Sequence, residues 1–241
     1  MSQTQLLDDL LNPLIKPALL LKLSNSEQAE QASCASKFGG LPYAEANETW
    51  ASCPTCKNEL TFVAQIKLPA ENSLHTFFYC FDCFPWGFGD EEKGQWLIRS
   101  YQNPNMANYV AIAPSHVSEY EISACTCTEQ SVKTLPDFND LEVLSPEAAQ
   151  IFSENDRYED YEVAAAERGC LTDYATFIGG YPKWIQSETT KVCAICGDEM
   201  AFFAQIDSED NADVMWGDSG AVYLFRCATH KNEFALELQC Y

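Results

Sequence analysis

The sequence predicts an α+β, β-rich fold: two pseudo-equivalent antiparallel β lobes joined by an acidic helical segment. Three observations carry that expectation. A stretch occurs twice at a fixed offset, paired cysteines recur at matching places in both copies, and a run of acids with helix punctuation lies between them.

The repeat decides the architecture, because each copy of a repeat is one structural unit. A shift of 140 positions lays Gly39-Gly40-Leu41-Pro42 on Gly179-Gly180-Tyr181-Pro182, and Cys53 and Cys56 on Cys193 and Cys196. It also lays Phe62-Val63-Ala64-Gln65-Ile66 on Phe202-Phe203-Ala204-Gln205-Ile206, and no gap is needed. From Gly39 to Ile66, 12 of 28 positions are identical, where average composition supplies roughly two. The reading is an internal duplication. Further on the offset becomes 147, so Cys80 falls on Cys227 and Cys83 on His230, with seven extra residues in the second copy.

Taken from the start, Leu6, Leu7, Leu10, Leu11 and Leu14 recur at helical spacing, and Pro13 and Pro17 end the helix that they predict. Ala18 to Leu23 reads as a short strand and Ser24 to Ser33 as a polar connection. Gly39-Gly40-x-Pro42 reads as a sharp turn that positions the next strand, since the lysine and hydroxyl residue of a phosphate-binding P-loop do not follow it. Leu60 to Leu68 and Leu74 to Tyr79 read as paired strands, with Trp96 to Tyr101 a third, as Phe234 to Leu238 is in the second copy. Tyr109 to Ala113 and Tyr120 to Cys127 are expected as further strands. From Leu135 to Asp173 there are eleven Asp and Glu, Glu154 and Asp156 among them, against Arg157 and Arg168. Ser145-Pro146 is a helix start, and Glu159 to Arg168 running into Gly169 is a second helix with a glycine stop. The expected divisions are 1–33 (helix and strand), 34–104 (first lobe), 105–170 (connecting strands and acidic helices) and 171–241 (second lobe).

The cysteines carry the chemistry. The copies read C-x2-C-x23-C-x2-C and C-x2-C-x30-C-x2-H. Two such knuckles, brought together by a strand pair, supply the four soft ligands of a structural Zn2+ site. Cys53, Cys56, Cys80 and Cys83 form one predicted set, and Cys193, Cys196, Cys227 and His230 the other. The lobes are therefore expected to be zinc-ribbon-like, with two structural zinc ions. The competing reading is buried free thiols or redox disulfides. Both sets are complete, leaving no coordination position for a reacting water, so neither is expected to be catalytic. For Cys125-Thr126-Cys127, whose thiols would share one face of a strand, core packing is preferred to metal binding.

Other motifs fail on inspection. Gly217-Asp218-Ser219-Gly220 resembles a serine-protease nucleophile sequence, but His75 and His116 stand in no triad context. The H-x-E pattern of zinc deaminases is missing, since His116 is followed by Val117-Ser118, and His75 and His230 fit no better. Asp207 to Asp213 is rich in oxygen ligands but lacks the glycine and glutamate offsets of an EF-hand, so a solvated turn is expected. Phe84-Pro85-Trp86-Gly87-Phe88 and Val214-Met215-Trp216 read as buried aromatic segments, with partner contact the alternative.

Lys and Arg total 14 against 36 Asp and Glu, a formal charge of −22 over 241 residues. Two filled zinc sites would take it to about −25, because four and three thiolates outweigh the ions. A surface this acidic repels phosphate backbones and attracts basic proteins. The start has no basic region followed by an apolar core, and no stretch approaches the roughly 20 apolar residues of a membrane span. Close cysteine pairs with no export signal point to a reducing, cytoplasmic address and to metal, not disulfides.

With these residues in view the chain resembles the YwqG family of bacterial domains of unknown function. The likeness rests on Ser36-Lys37-Phe38-Gly39-Gly40-Leu41-Pro42, on Phe62 to Ile66, on Gln205 to Asn211 and on Met215-Trp216-Gly217-Asp218-Ser219-Gly220. It is more distantly similar to the programmed cell death protein 2 group, which shares the Gly-Gly-x-Pro, C-x-x-C and Phe-x-x-Gln order. The resemblance implies ribosomal-protein chaperoning or immunity against a toxin, and carries no catalytic residues. The expected function is a non-catalytic cytoplasmic protein whose acidic face captures a basic partner, a toxin domain or a ribosomal protein. The alternatives are an RNA-associated zinc protein, which the charge opposes, and an enzyme of unrecognised type using the carboxylates from Asp207 to Asp218.

Overall fold

Continuous apolar runs bounded by turn residues are the mark of strands packed on both faces. β3 (Thr61–Leu68) is buried over its first six residues, and β4 (Ser73–Tyr79) and β9 (Ala221–Arg226) at every position. The computed structural model describes residues 3–116, 119–153 and 158–241. Glu154, Asp156 and Arg157 of the acidic run, and Val117 and Ser118, lie outside them.

Ten strands form one antiparallel sheet in the order β10-β9-β8-β7-β1-β6-β2-β3-β4-β5. The remaining strands are β1 (Lys16–Asn25), β2 (Lys37–Phe38), β5 (Trp96–Gln102), β6 (Cys125–Thr134), β7 (Phe177–Gly179), β8 (Ala201–Asp207) and β10 (Phe234–Gln239). The order reads alike from either end once β3-β4-β5 is matched with β8-β9-β10, β2 with β7 and β6 with β1. The sheet curls until β10 reaches the segment between β4 and β5, where the Leu238 amide donates to the Trp86 carbonyl at 3.0 Å, giving a nearly closed barrel. His75 on β4 accordingly faces Phe203 on β8 and Phe234 on β10, with ring centroids 5.3 and 5.5 Å away.

The two strand triplets are alike in detail. Each has a bulge at one place in its first hairpin, between Phe62 and Ala64 and between Phe202 and Ala204. In each, the glutamine two residues past the bulge braces the preceding loop. Gln65 Oε1 accepts from the Tyr43 amide and its Nε2 donates to the Ala35 carbonyl. Gln205 does the same with the Lys183 amide and the Ala175 carbonyl. Both glutamines are fully buried, so the conserved geometry of these bonds satisfies groups that would otherwise be costly to desolvate.

Several expectations need adjusting. The triplets are not separate lobes bridged by helices, because the ten-residue pairing of β1 with β6 joins them within one sheet. Strand β1 is longer than Ala18 to Leu23, and β6 begins at Cys125 instead of Tyr120 and runs on to Thr134. Tyr109 to Ala113 is not a strand. The Val110 amide meets the Ala44 carbonyl at 2.9 Å, but no ladder of bonds continues from it.

Helix α1 (Gln3–Leu11) forms where the leucine spacing predicts, and buries Leu11 completely. The acidic run folds into α2 (Phe138–Leu144), α3 (Pro146–Ser153) and α4 (Tyr158–Glu167). The last two lie where the helix signals predict them, and α2 is an additional helix, which Asp137 caps by accepting from the Asn139 amide. After α4, Gly169 takes φ +69° and ends the helix as expected. Leu11, Leu135, Leu141, Phe152 and Tyr161 form a core that unites α1 with the insert, and Arg168 reaches back to Asp8 at 2.5 Å. The main core lies inside the barrel and draws on both halves, from Val63, Phe77 and Tyr79 to Trp216, Leu224 and Leu238.

Candidate metal centres

Each pair of ligands sits on a tight turn whose backbone is set before any ion is considered. In the first, the Lys57 amide donates to the Cys53 carbonyl at 3.1 Å with Lys57 at φ +71°, and Ser52 bridges Glu59 below the turn. In its counterpart the Gly197 amide donates to the Cys193 carbonyl at 2.8 Å with φ +75°, and Val192 bridges Glu199. The partner turns follow directly on β4 and β9. There the Cys83 amide points at Cys80 Sγ (3.4 Å) and the His230 amide at Cys227 Sγ (3.2 Å), as donors stabilising a thiolate do.

All four ligand atoms in each set lie within 4.8 Å of one another. In the first set Cys53 Sγ is 3.7 Å from Cys83 Sγ, and Cys56 Sγ is 3.5 Å from Cys80 Sγ. In the second, Cys193 Sγ is 3.6 Å from His230 Nδ1, Cys196 Sγ is 3.7 Å from Cys227 Sγ, and Cys227 Sγ is 3.8 Å from His230 Nδ1. A disulfide needs sulfurs about 2.05 Å apart, and all twelve cysteines are free. Four sulfurs each about 2.3 Å from one tetrahedral ion would stand about 3.8 Å apart. The separations therefore fit metal coordination, and both groups are able to hold an ion. Among the described residues these are the two groups with that geometry.

One thiol in each set is biased toward the thiolate, while Cys80, Cys83 and Cys196 are raised. Burial pushes Cys53 up, but the amides of Cys56 and Thr55 outweigh it and bring the thiol down to about 7. The Cys196 amide holds Cys193 down to about 6. A cysteine ligand binds as a thiolate, so the turn's amides ease that deprotonation at Cys53 and at Cys193.

A small apolar core backs each centre on the outer face of the sheet. Cys53 and Cys80 are buried among Leu60, Phe62 and Phe78, with Trp50 donating its Nε1 to the Leu60 carbonyl at 2.7 Å. Cys193 and Cys227 are buried beside Trp184, Met200, Tyr223 and Phe225. Cys56, Cys83 and His230 are half-buried and Cys196 is exposed. Each ion would thus lie between a dry inner pair and a more open outer pair of ligands.

Cys125 is buried, with its thiol donating to the Asn211 carbonyl, and Cys127 packs on the same core, where burial pushes it up to about 12. Asp207 and Glu209 are half-buried and raised by that burial, Asp207 to about 6, while Asp210, Asp213 and Asp218 are exposed. Trp216 and Val214 are buried whereas Met215 is exposed, and Trp86 is half-buried whereas Phe88 is exposed. His75 is buried between Ser73 and Ser100, and His116 is exposed with its amide bonded to Glu59. No helix among the described residues is long and apolar enough to cross a membrane.

A family model described as "Domain of unknown function (DUF1963)" matches residues 36–229, from the strand before the Gly-Gly turn to one residue short of His230. A comparison with curated proteins finds no match.

Proposed function

We propose that this chain, which belongs to the DUF1963 family, is a non-catalytic binding protein whose two duplicated halves are each braced by one structural Zn2+ and whose acidic surface captures a basic protein. The observation that carries the reading is the pair of complete four-ligand sets. With every tetrahedral position taken by protein, a bound zinc would supply structure and no activated water. Cys53, Cys56, Cys80 and Cys83 would hold one ion, and Cys193, Cys196, Cys227 and His230, through Nδ1, the other.

The charge supports the second half of the reading. At −22 before any thiolate is counted, the chain draws cationic partners from a distance and repels nucleic acid. A cytoplasmic toxin domain or a ribosomal protein has the complementary chemistry. Two measurements test the proposal. Metal analysis of the purified protein is expected to return two zinc equivalents per chain, matching the two ligand groups. Affinity capture from lysate at moderate salt, read by mass spectrometry, is expected to recover a basic protein. A preparation without zinc would overturn the structural role, and capture that recovers no protein would overturn the binding role.

A further inference from the structure

Beside the Gly39-Gly40 turn lies a groove of about 750 Å³, within the range of built binding sites. Its acidic side chains are Glu27, Glu30, Glu59, Glu121 and Asp213, and among the described residues that line it there is no lysine or arginine. Its apolar wall is Trp50, Leu60, Phe62, Tyr120 and Ile122. Asp213 comes from the second half of the chain and the others from the first half or from the stretch before β6, so the groove exists only in the folded barrel.

The walls are held in place from behind. Lys37 is buried and donates from Nζ to the carbonyls of Ala29 (2.6 Å) and Gln31 (2.9 Å), fixing the helical turn Glu27–Glu30. Opposite, Glu59 accepts from the amides of Ser115 and His116. Tyr120 stacks on Phe81, which stacks in turn on the buried Trp216.

At the matching turn of the other half, Gly179-Gly180-Tyr181-Pro182, the chain covers the space itself. Helix α4 lies there, Lys183 pairs with Glu162 at 3.0 Å, and a cavity of about 30 Å³ remains. In the first half the connection from β1 to β2 holds the single helical turn Glu27–Glu30 in place of three α-helices, and the space beside the Gly39-Gly40 turn stays open.

We propose that this groove receives an extended lysine- and arginine-bearing segment of a partner protein, a refinement that rests on the basic-partner reading above. Aliphatic stems of such side chains pack on Trp50 and Tyr120, which are the accessible part of the wall, while their charged ends reach the carboxylates of the groove. The two faces of the groove thus match the two parts of one kind of side chain.

The test is fluorescence anisotropy with a labelled peptide of roughly ten residues alternating arginine and leucine, near physiological ionic strength. The combined substitution Glu27→Lys, Glu30→Lys and Glu121→Lys, all at exposed sites, is expected to weaken binding by about tenfold or more. The control, Glu142→Lys, Glu147→Lys and Glu159→Lys on the exposed faces of the acidic helices, changes net charge equally and is expected to cost less than about threefold. Equal loss in the two triples would overturn the groove while leaving general capture of basic proteins standing. Binding of free spermidine as tight as the peptide, with the same sensitivity, would also overturn it in favour of a small-cation site. If neither the peptide nor any basic protein binds, the underlying reading falls with it.

Discussion

Arg226 Nη1, at the end of β9, donates to Glu71 Oε2 in the turn after β3 at 3.0 Å, tying one half of the barrel to the other. The guanidinium is buried, lies between the rings of Phe203 and Phe234, and also donates from Nε to the Lys231 carbonyl. Removing its carboxylate would strand a buried cation. Glu71→Gln is expected to cost about 1–3 kcal/mol by denaturant unfolding. Equal stability of wild type and variant would mean that the pair adds nothing to the joining of the halves. Burial raises the Glu71 carboxyl, but Arg226 outweighs it and the group sits below its ordinary range. Its contribution is therefore present above the unfolded carboxylate range and is lost as pH falls through the folded value.

His75 gives the opposite kind of group with the same direction of loss. Burial, then Arg226 nearby, lowers its pKa from 6.5 to about 4. Between those values the unfolded chain binds the proton and the folded chain does not, so stability falls as pH drops through that window. The span corresponds to a loss on the order of 3 kcal/mol. His75→Gln is expected to flatten the profile there, and a slope unchanged by the substitution would assign the acid sensitivity to other groups.

The ligand sets predict unequal outcomes for conservative and non-conservative changes. Cys53→Ser and Cys193→Ser each remove a buried inner ligand, and each is expected to lose one ion and destabilise its half severely. His230→Cys restores the donor set of the first centre and is expected to keep the metal. Metal analysis beside thermal melting checks both, and full metal content in the serine variants would sink the assignment.

The two Gly-Gly turns look alike in sequence but not in their surroundings. A Cβ on Gly39 would lie 2.2 Å from the Ile122 carbonyl oxygen, whereas on Gly179 the nearest atom would be 3.8 Å away. Both residues have positive φ, +54° and +70°. Gly179→Ala is therefore expected to cost about 1 kcal/mol from the backbone alone, and Gly39→Ala several times more, because main chain must move. Equal costs by urea denaturation would contradict this close approach.

The two four-ligand groups are legible in the sequence because their signal is local. Cysteines three apart on a turn, ahead of a strand and after the next one, can converge without reference to the rest of the fold, and the sulfur separations of 3.5 to 3.7 Å in the first set follow. Trp216 is buried, as its segment predicts, but its neighbours in the core are not legible in the sequence. Its acidic and glycine neighbours look like surface, yet it is fully buried against Phe81 and Tyr79, which the barrel brings to it from the other half. The extent of β6 is not legible either: Thr128 to Lys133 is polar, and it becomes strand because β1 offers it a continuous partner.

By itself the sequence determined the paired ligand sets, the strands of each triplet, the leading helix and the acidic character, all of which depend on residues close together or on composition. Tertiary structure alone decided that the triplets share one sheet, that the barrel closes through Trp86 and Leu238, and that a groove stays open in one half while helices fill its counterpart. The physical reason is that strands pair through backbone amides and carbonyls, which every residue but proline supplies in full. Side chains mark where a strand forms and which face it buries, but the choice of neighbour is made only when the whole core packs.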